Sequence, residues 1–180
     1  LLTVVAGVAG SGKTSLMESF ARQCPEEVVT ISQRNIGISL RSTPATYLGI
    51  ADDVRKIFVK RTGVKAEMFT FNGKGGCPAC GGKGVIVSDM SFMDSIETVC
   101  EACGGLRYSG EALAYAVDGL NIAQVMDLTV RKAMLHFKGT GIEKKLQSLN
   151  DVGLEYLHLN QALSTLSGGE LQRIKLASYL

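Results

Sequence analysis

Two short stretches and four cysteines of this 180-residue chain have types and spacings that do chemistry. The first is "GVAGSGKTS", Gly7 to Ser15, behind the apolar run LLTVVA. Its pattern, Gly7-x-x-x-x-Gly12-Lys13-Thr14, is that of a loop that wraps a phosphate chain. Backbone N–H groups can converge on phosphate only where side chains are absent, at Gly7, Gly10 and Gly12. Ser11, Lys13, Thr14 and Ser15 complete the loop. A helix should begin here, its positive end facing the anion. Lys13 would reach the β- and γ-phosphates of ATP, and the Thr14 hydroxyl would ligate Mg²⁺. A glycine-rich turn of chance composition is the bland alternative. An apolar strand before the loop and an amphipathic helix after it argue against that.

The second set is Cys77, Cys80, Cys100 and Cys103, spaced Cys-x2-Cys-x19-Cys-x2-Cys. Four thiolates on two short knuckles satisfy tetrahedral Zn²⁺ and leave no open position, so the site reads as structural. Glycines after each pair let backbone N–H groups approach the sulfurs. Two redox dithiol pairs are the competing reading. The zinc repeats of the DnaJ chaperones share Cys-x-x-Cys-x-Gly-x-Gly, but that family uses more repeats and has no phosphate loop. The third stretch is "LSTLSGGELQRIKLAS". Ser167-x-x-Glu170 is a capping box before Leu171, Ile174 and Ala177. Gly168 and Gly169 leave the helix start bare. Alone, this is only a capped helix.

The elements needed to position these residues can be read between them. Leu1 to Ala6 and Glu27 to Ser32 read as strands, and Thr14 to Gln23 as a helix ended by Cys24-Pro25. "RSTPATYLGIADDVRKIFVKR" reads as a Ser/Thr/Pro turn followed by an amphipathic helix with Leu48, Ala51, Val54, Ile57 and Phe58 on its face. From Phe71 the chain is glycine-rich, with a strand at "VIVSDMSF" between the cysteine pairs. Helices are expected over Asn121 to Asp127, Thr129 to Phe137, Gly141 to Val152 and from Ser167 to the end. His136, His158 and Cys24 read as structural. The composition, 46% hydrophobic and 20% charged with net charge +2, suits a globular protein and does not by itself argue for nucleic acid or membrane. No apolar run is long enough for a membrane span, and the opening lacks the basic flank of a signal peptide. An odd cysteine count without a secretion signal favours a cytoplasmic metal site over disulfides.

Leu-Ser-Gly-Gly-Glu followed by Leu-Gln-Arg resembles the signature of ATP-binding-cassette ATPases. With the phosphate loop before it and the four cysteines between, the order resembles the UvrA excinuclease family of bacterial nucleotide excision repair, in its second ATP-binding half. "RSTPATYLGIADDVRKIF", "FTFNGKGGCPACGGKGVI", "CEACGGLRYSGEAL" and "LNDVGLEYLHLNQALSTLSGGELQRIKLA" extend the resemblance over nearly all of the chain. It implies an α/β fold: part of a phosphate-loop cassette core, with an inserted helical signature domain carrying a zinc hairpin. The implied segments are 1–70 for the core, 71–110 for the zinc module, 111–166 for the helical domain and 167–180 for the signature loop.

The resemblance also implies functions. Gln33, in "TISQRNIG", would sense Mg²⁺ and the γ-phosphate and so join Lys13 as catalytic; on sequence alone it is a polar residue ending a strand. Ser167, Gly168, Gly169 and Glu170 would face ATP held on another nucleotide-binding domain. The partners implied are double-stranded DNA, the other ATP-binding half, a second copy and further excision-repair subunits. About twenty residues separate Lys13 from Gln33, and basic residues near the module are few: Lys74, Lys83 and Arg107. Both features suit a compact paralogue serving resistance to DNA-binding drugs. A transporter ATPase would not need a zinc hairpin, and intact Lys13 and Thr14 argue against a degenerate nucleotide site. Both ends read as cut from a longer chain. The Asp-Glu strand and switch histidine of a cassette ATPase follow the signature, so these 180 residues alone are expected not to turn over ATP.

Overall fold

The computed structural model describes residues 3–24, 28, 30–31, 39, 41–90 and 93–180. The chain divides into two compact units, 1–34 with Tyr179, and 35–178 with Leu180.

In the first unit, α1 spans Lys13–Gln23. Residues 3–6 form no strand, contrary to their β-branched composition. A strand is held by a neighbour's ladder, and none lies beside them among the described residues. Half of the expected strand at Glu27 to Ser32 falls outside the described residues, and Gln33 falls wholly outside them. The helix α1 buries no residue. Its apolar positions Leu16, Met17 and Phe20 are more than half exposed.

The second unit holds the core. The amphipathic helix expected after the Ser/Thr/Pro turn is two: α2 (Pro44–Tyr47) and α3 (Ile50–Thr62). Gly49 interrupts them with φ 69°, a left-handed conformation that cannot continue a helix. Thr43 starts α2 with a reciprocal box, donating its N–H to Thr46 Oγ1 at 2.9 Å and accepting the Thr46 N–H at 3.2 Å. After a 3₁₀ turn at Ala66–Phe69 come β1 (Val85–Met90) and β2 (Met93–Val99), an antiparallel hairpin with Val85 opposite Val99 and Ser88 opposite Ile96. Then follow α4 (Gly110–Leu113), the small hairpin β3 (Ala116–Val117) and β4 (Leu120–Asn121), α5 (Ile122–Met126), α6 (Val130–His136), α7 (Gly141–Asp151) and α8 (Gly168–Ala177). Asn121, Thr129 and Ser167 cap their helices as their residue types require. The last helix stops at Ala177, with Ser178 as its C-cap, rather than running to the chain end.

Ile50, Val54 and Phe58 of α3 meet Ile122, Val130, Leu146, Leu149, Leu154, Leu157, Leu159, Leu163 and Ile174 in one apolar cluster. Phe58, Phe69 and Tyr115 extend it as a run of tilted and edge-on rings. Lys145 of α7 fixes α3 from outside, 2.7 Å from Asp53 and 3.3 Å from the Gly49 carbonyl. The sequence Leu154-x-x-Leu157-x-Leu159 enters this core as a turn, and its carbonyls receive the Val130 and Arg131 N–H groups at the start of α6. His158 beside it bonds the Asp127 carbonyl, and His136 packs edge-on against Phe137, as the structural reading of both expects.

Leu146 is fully buried, whereas Leu16 is 59% exposed. Leu146→Ala is therefore expected to lower the unfolding free energy by about 2–5 kcal/mol, and Leu16→Ala by no more than about 0.5. Urea denaturation monitored by circular dichroism measures both.

Candidate metal centre and nucleotide loops

The cysteine block closes on itself. Cys77, Cys80, Cys100 and Cys103 are 3, 6, 1 and 9% exposed, and their sulfurs all lie within 4.8 Å of one another. Cys77 and Cys100 sulfurs are 4.0 Å apart, and Cys80 and Cys103 sulfurs 3.8 Å. Metal–sulfur bonds of about 2.3 Å in a tetrahedron require sulfur–sulfur edges of about 3.8 Å, so the four thiols fit Zn²⁺. No disulfide joins them.

Two copies of one backbone turn build the centre. In each, the N–H three residues after the second cysteine bonds that cysteine's carbonyl: Lys83 to Cys80 at 3.2 Å, Leu106 to Cys103 at 3.0 Å. In each, the N–H four residues on meets the sulfur: Gly84 to Cys80 at 3.2 Å, and Arg107 to Cys103. The turn needs left-handed residues, supplied by Gly81 and Gly82 in one copy and by Gly104 and Gly105 in the other. Arg107 stands where the first copy has Gly84, and it too is left-handed, with φ 71°. The β1–β2 hairpin and the Cys100 N–H bond to the Gly84 carbonyl, 3.0 Å, bring the two turns together.

Charge limits how many of the four sulfurs can ionise together. Burial pushes Cys80 up, but the Gly84 N–H and the other three cysteines outweigh it, and the thiol falls to about 7. Burial pushes Cys103 up, the neighbouring sulfurs add to it, and it reaches about 11 despite the Arg107 N–H. The first thiolate thus forms near neutrality and opposes the next. Four negative sulfurs at this separation are stable only around a positive ion.

Two arginines that the sequence reading did not connect to the centre hold it. Arg41 Nη2 donates to the Gly81 carbonyl at 2.9 Å. Arg107 lies 5.5 Å from the Phe71 ring centroid, half-buried, with Nη1 lacking a partner. Arg41 is forty positions from its acceptor, and no local pattern could reveal the pair. Of the three basic residues near the module, Arg107 is half-buried against Phe71. Lys74 is paired with Glu67 at 3.5 Å, leaving Lys83 as the one of the three with neither an acidic nor an aromatic partner among the described residues.

In the first unit, Gly12 caps α1 with φ 83° and Gly10 has φ 80°, and nothing within 4 Å fills the space a side chain would take at either. At Gly7 a Cβ would crowd Ser11 Oγ at 2.7 Å. Lys13 Nζ folds onto the loop's carbonyl rim, 2.7 Å from Gly7 O and 2.6 Å from Val8 O, with Ser11 Oγ at 3.3 Å. Thr14 and Ser15 are exposed on the first turn of α1.

The signature residues form the capping box their spacing requires. Ser167 donates its N–H and its hydroxyl to Glu170 Oε2, at 2.7 and 2.8 Å, and accepts the Glu170 N–H at 3.4 Å. The other oxygen, Oε1, accepts from the Tyr156 hydroxyl at 2.5 Å, a contact the sequence reading missed. These bonds, that from Tyr156 foremost, hold Glu170 down at about 2. A Cβ at Gly168 or Gly169 would meet nothing within 4 Å, so the helix opening is bare.

No family model matches the chain. It is 40% identical over 210 aligned positions to UvrABC system protein A of Staphylococcus epidermidis, a match covering 100% of this chain and 22% of that protein. The protein of the same name from Listeria monocytogenes is 41% identical over 206 positions, covering 98% and 22%. The crystal structure of UvrA2 from Deinococcus radiodurans superposes with a TM-score of 0.82 at 38% identity, over 97% of this chain and 24% of that one. The chain belongs to the UvrA family. Its fold is accordingly the α/β cassette type with a helical signature region carrying a four-cysteine hairpin. It spans about a fifth of the length of the UvrA relatives it matches. No described helix is long and apolar enough to cross a membrane.

Purified protein is expected to carry one zinc ion per chain. Cys100→Ser should lose it, and Cys24→Ser, outside the cluster, should keep it. Metal analysis by mass spectrometry after gel filtration measures both.

Proposed function

We propose that this chain is the ATP- and zinc-binding segment of a DNA damage-recognition ATPase of nucleotide excision repair, from the second of its two nucleotide-binding halves. In this reading Gly7, Gly10, Ser11, Gly12, Lys13 and Ser15 hold the phosphates of ATP, Thr14 ligates Mg²⁺, and Lys13 stabilises charge on the transferring γ-phosphate. Lys13 then exchanges its carbonyl partners for phosphate oxygens. Gln33 senses the γ-phosphate, and Ser167, Gly168, Gly169 and Glu170 close over ATP bound to another domain. The segments 1–70, 71–110, 111–166 and 167–180 serve as partial core, zinc module, helical signature domain and signature loop. The zinc ion, when bound, supplies no catalysis; it fixes the module's shape. The full protein works in the cytoplasm as a dimer on duplex DNA with other repair subunits.

The observation that carries this reading is the end-to-end 40% identity to UvrABC system protein A on a chain holding all three elements in order. The compact paralogue remains the second reading, for a specific reason. The alignment to the Staphylococcus epidermidis protein has 210 positions for 180 residues, so 30 positions are filled only by the relative.

The test uses the full-length protein, titrated in the presence of ATP with matched duplexes, one bearing a bulky adduct, at fixed salt. Repair predicts tighter binding to the adduct and its loss on replacing Cys77, Cys80, Cys100 and Cys103 by Ser. Equal binding to both duplexes would favour the paralogue, and no DNA binding a transport-type ATPase. Lys13→Ala should abolish hydrolysis under every reading that keeps the nucleotide site.

A further inference from the structure

The signature box has an external brace whose role no capping rule supplies. A helix N-terminus attracts negative charge, and Glu170 is the acidic residue of the first turn of α8. A nucleotide phosphate approaching Gly168 and Gly169 would compete with that carboxylate for the same end of the helix. Both Glu170 oxygens are occupied, Oε2 by Ser167 and Oε1 by the Tyr156 hydroxyl. Arg173 lies close enough to stabilise the carboxylate's charge, and its guanidinium is itself fixed by the Val152 and Gly153 carbonyls at 3.3 and 3.1 Å.

Tyr156 is a fixed point. Leu154 and Leu157 on either side of it are 0 and 1% exposed. The Leu157 N–H bonds the Leu154 carbonyl at 3.2 Å, and the carbonyls of Glu155 and Leu157 take the Arg131 and Val130 N–H groups at 3.0 and 2.9 Å. The ring itself is 52% exposed, so its contribution lies in the hydroxyl bond rather than in burial.

We propose that Tyr156 is a positioning residue for the signature loop: by anchoring the Glu170 carboxylate it fixes Ser167 and keeps a free carboxylate from competing with the nucleotide phosphate at the bare Gly168–Gly169 turn. The proposal rests on the nucleotide-facing role of the signature given above. It adds a residue outside the motif, eleven positions before Ser167, on a separate turn of the helical domain.

The experiment measures ATP hydrolysis against ATP concentration in the full-length protein for Tyr156→Phe, Glu170→Ala, their double variant and Ser167→Ala, with the melting temperature of each. Tyr156→Phe should raise the ATP concentration for half-maximal hydrolysis about fivefold, the scale of one ordinary hydrogen bond. It should leave the melting temperature within about 1 °C, as for an exposed surface change. In the Glu170→Ala background the same change should add nothing, because the hydroxyl acts through that carboxylate. An equal further rise in that background would overturn the proposal, as would no effect of Tyr156→Phe where Ser167→Ala has one. If Ser167→Ala itself leaves the ATP dependence unchanged, the signature reading fails first.

Discussion

Four sulfurs converging within 4.8 Å are the constraint on which the zinc module depends. The β1–β2 hairpin has only two strands, and Ile86, Ile96 and Val99 on it are exposed. A two-stranded hairpin without a covering layer is marginal in water. The metal-binding turns supply what a core would otherwise supply, fixing both ends of the hairpin at Cys80–Gly84 and Cys100. They also place Gly76 beside Tyr108, so that Phe71 meets Tyr108 edge-on and the module joins the apolar cluster of the helical domain. Loss of the ion would remove the balancing charge from four buried sulfurs as well as four bonds.

The helical domain is organised differently, by apolar burial and end capping. Thr43, Asn121 and Ser167 each close a reciprocal box, so the starts of α2, α5 and α8 are set by local sequence. Burial of Ile174 and Ala177 then aims α8 at the core and leaves its glycine opening toward solvent. The segment 41–45 touches both systems. Its Arg41 reaches the Gly81 carbonyl of the first metal-binding turn, its Ser42 carbonyl receives the Leu163 N–H at 2.8 Å, and its Ala45 N–H donates to Leu159 at 3.1 Å. A displacement of the metal-binding turn therefore has a short physical route to the segment that leads into Ser167.

Much of this was legible in the sequence where the governing interaction is local. Capping residues and apolar spacing located α5, α6, α7 and α8 to within a residue or two at most ends. The cysteine spacing picked out four residues whose sulfurs converge, because two turns of one design need the same glycines at the same offsets. The misses are where tertiary context decides. Gly49 splits a helix whose apolar face runs on across it, and residues 3–6 have strand composition without a strand to pair with among the described residues. Arg41, Arg107 and Tyr156 meet partners fourteen to forty positions away along the chain, and no short window of sequence contains them. The left-handed backbone of Arg107 becomes apparent only on aligning the two cysteine turns.

The account stands on the four sulfurs sharing one ion, and X-ray absorption at the zinc edge tests this directly on the purified protein. It predicts a single shell of four sulfur neighbours at about 2.3 Å. A shell containing nitrogen or oxygen, two sulfurs in place of four, or no zinc in a folded protein would contradict it.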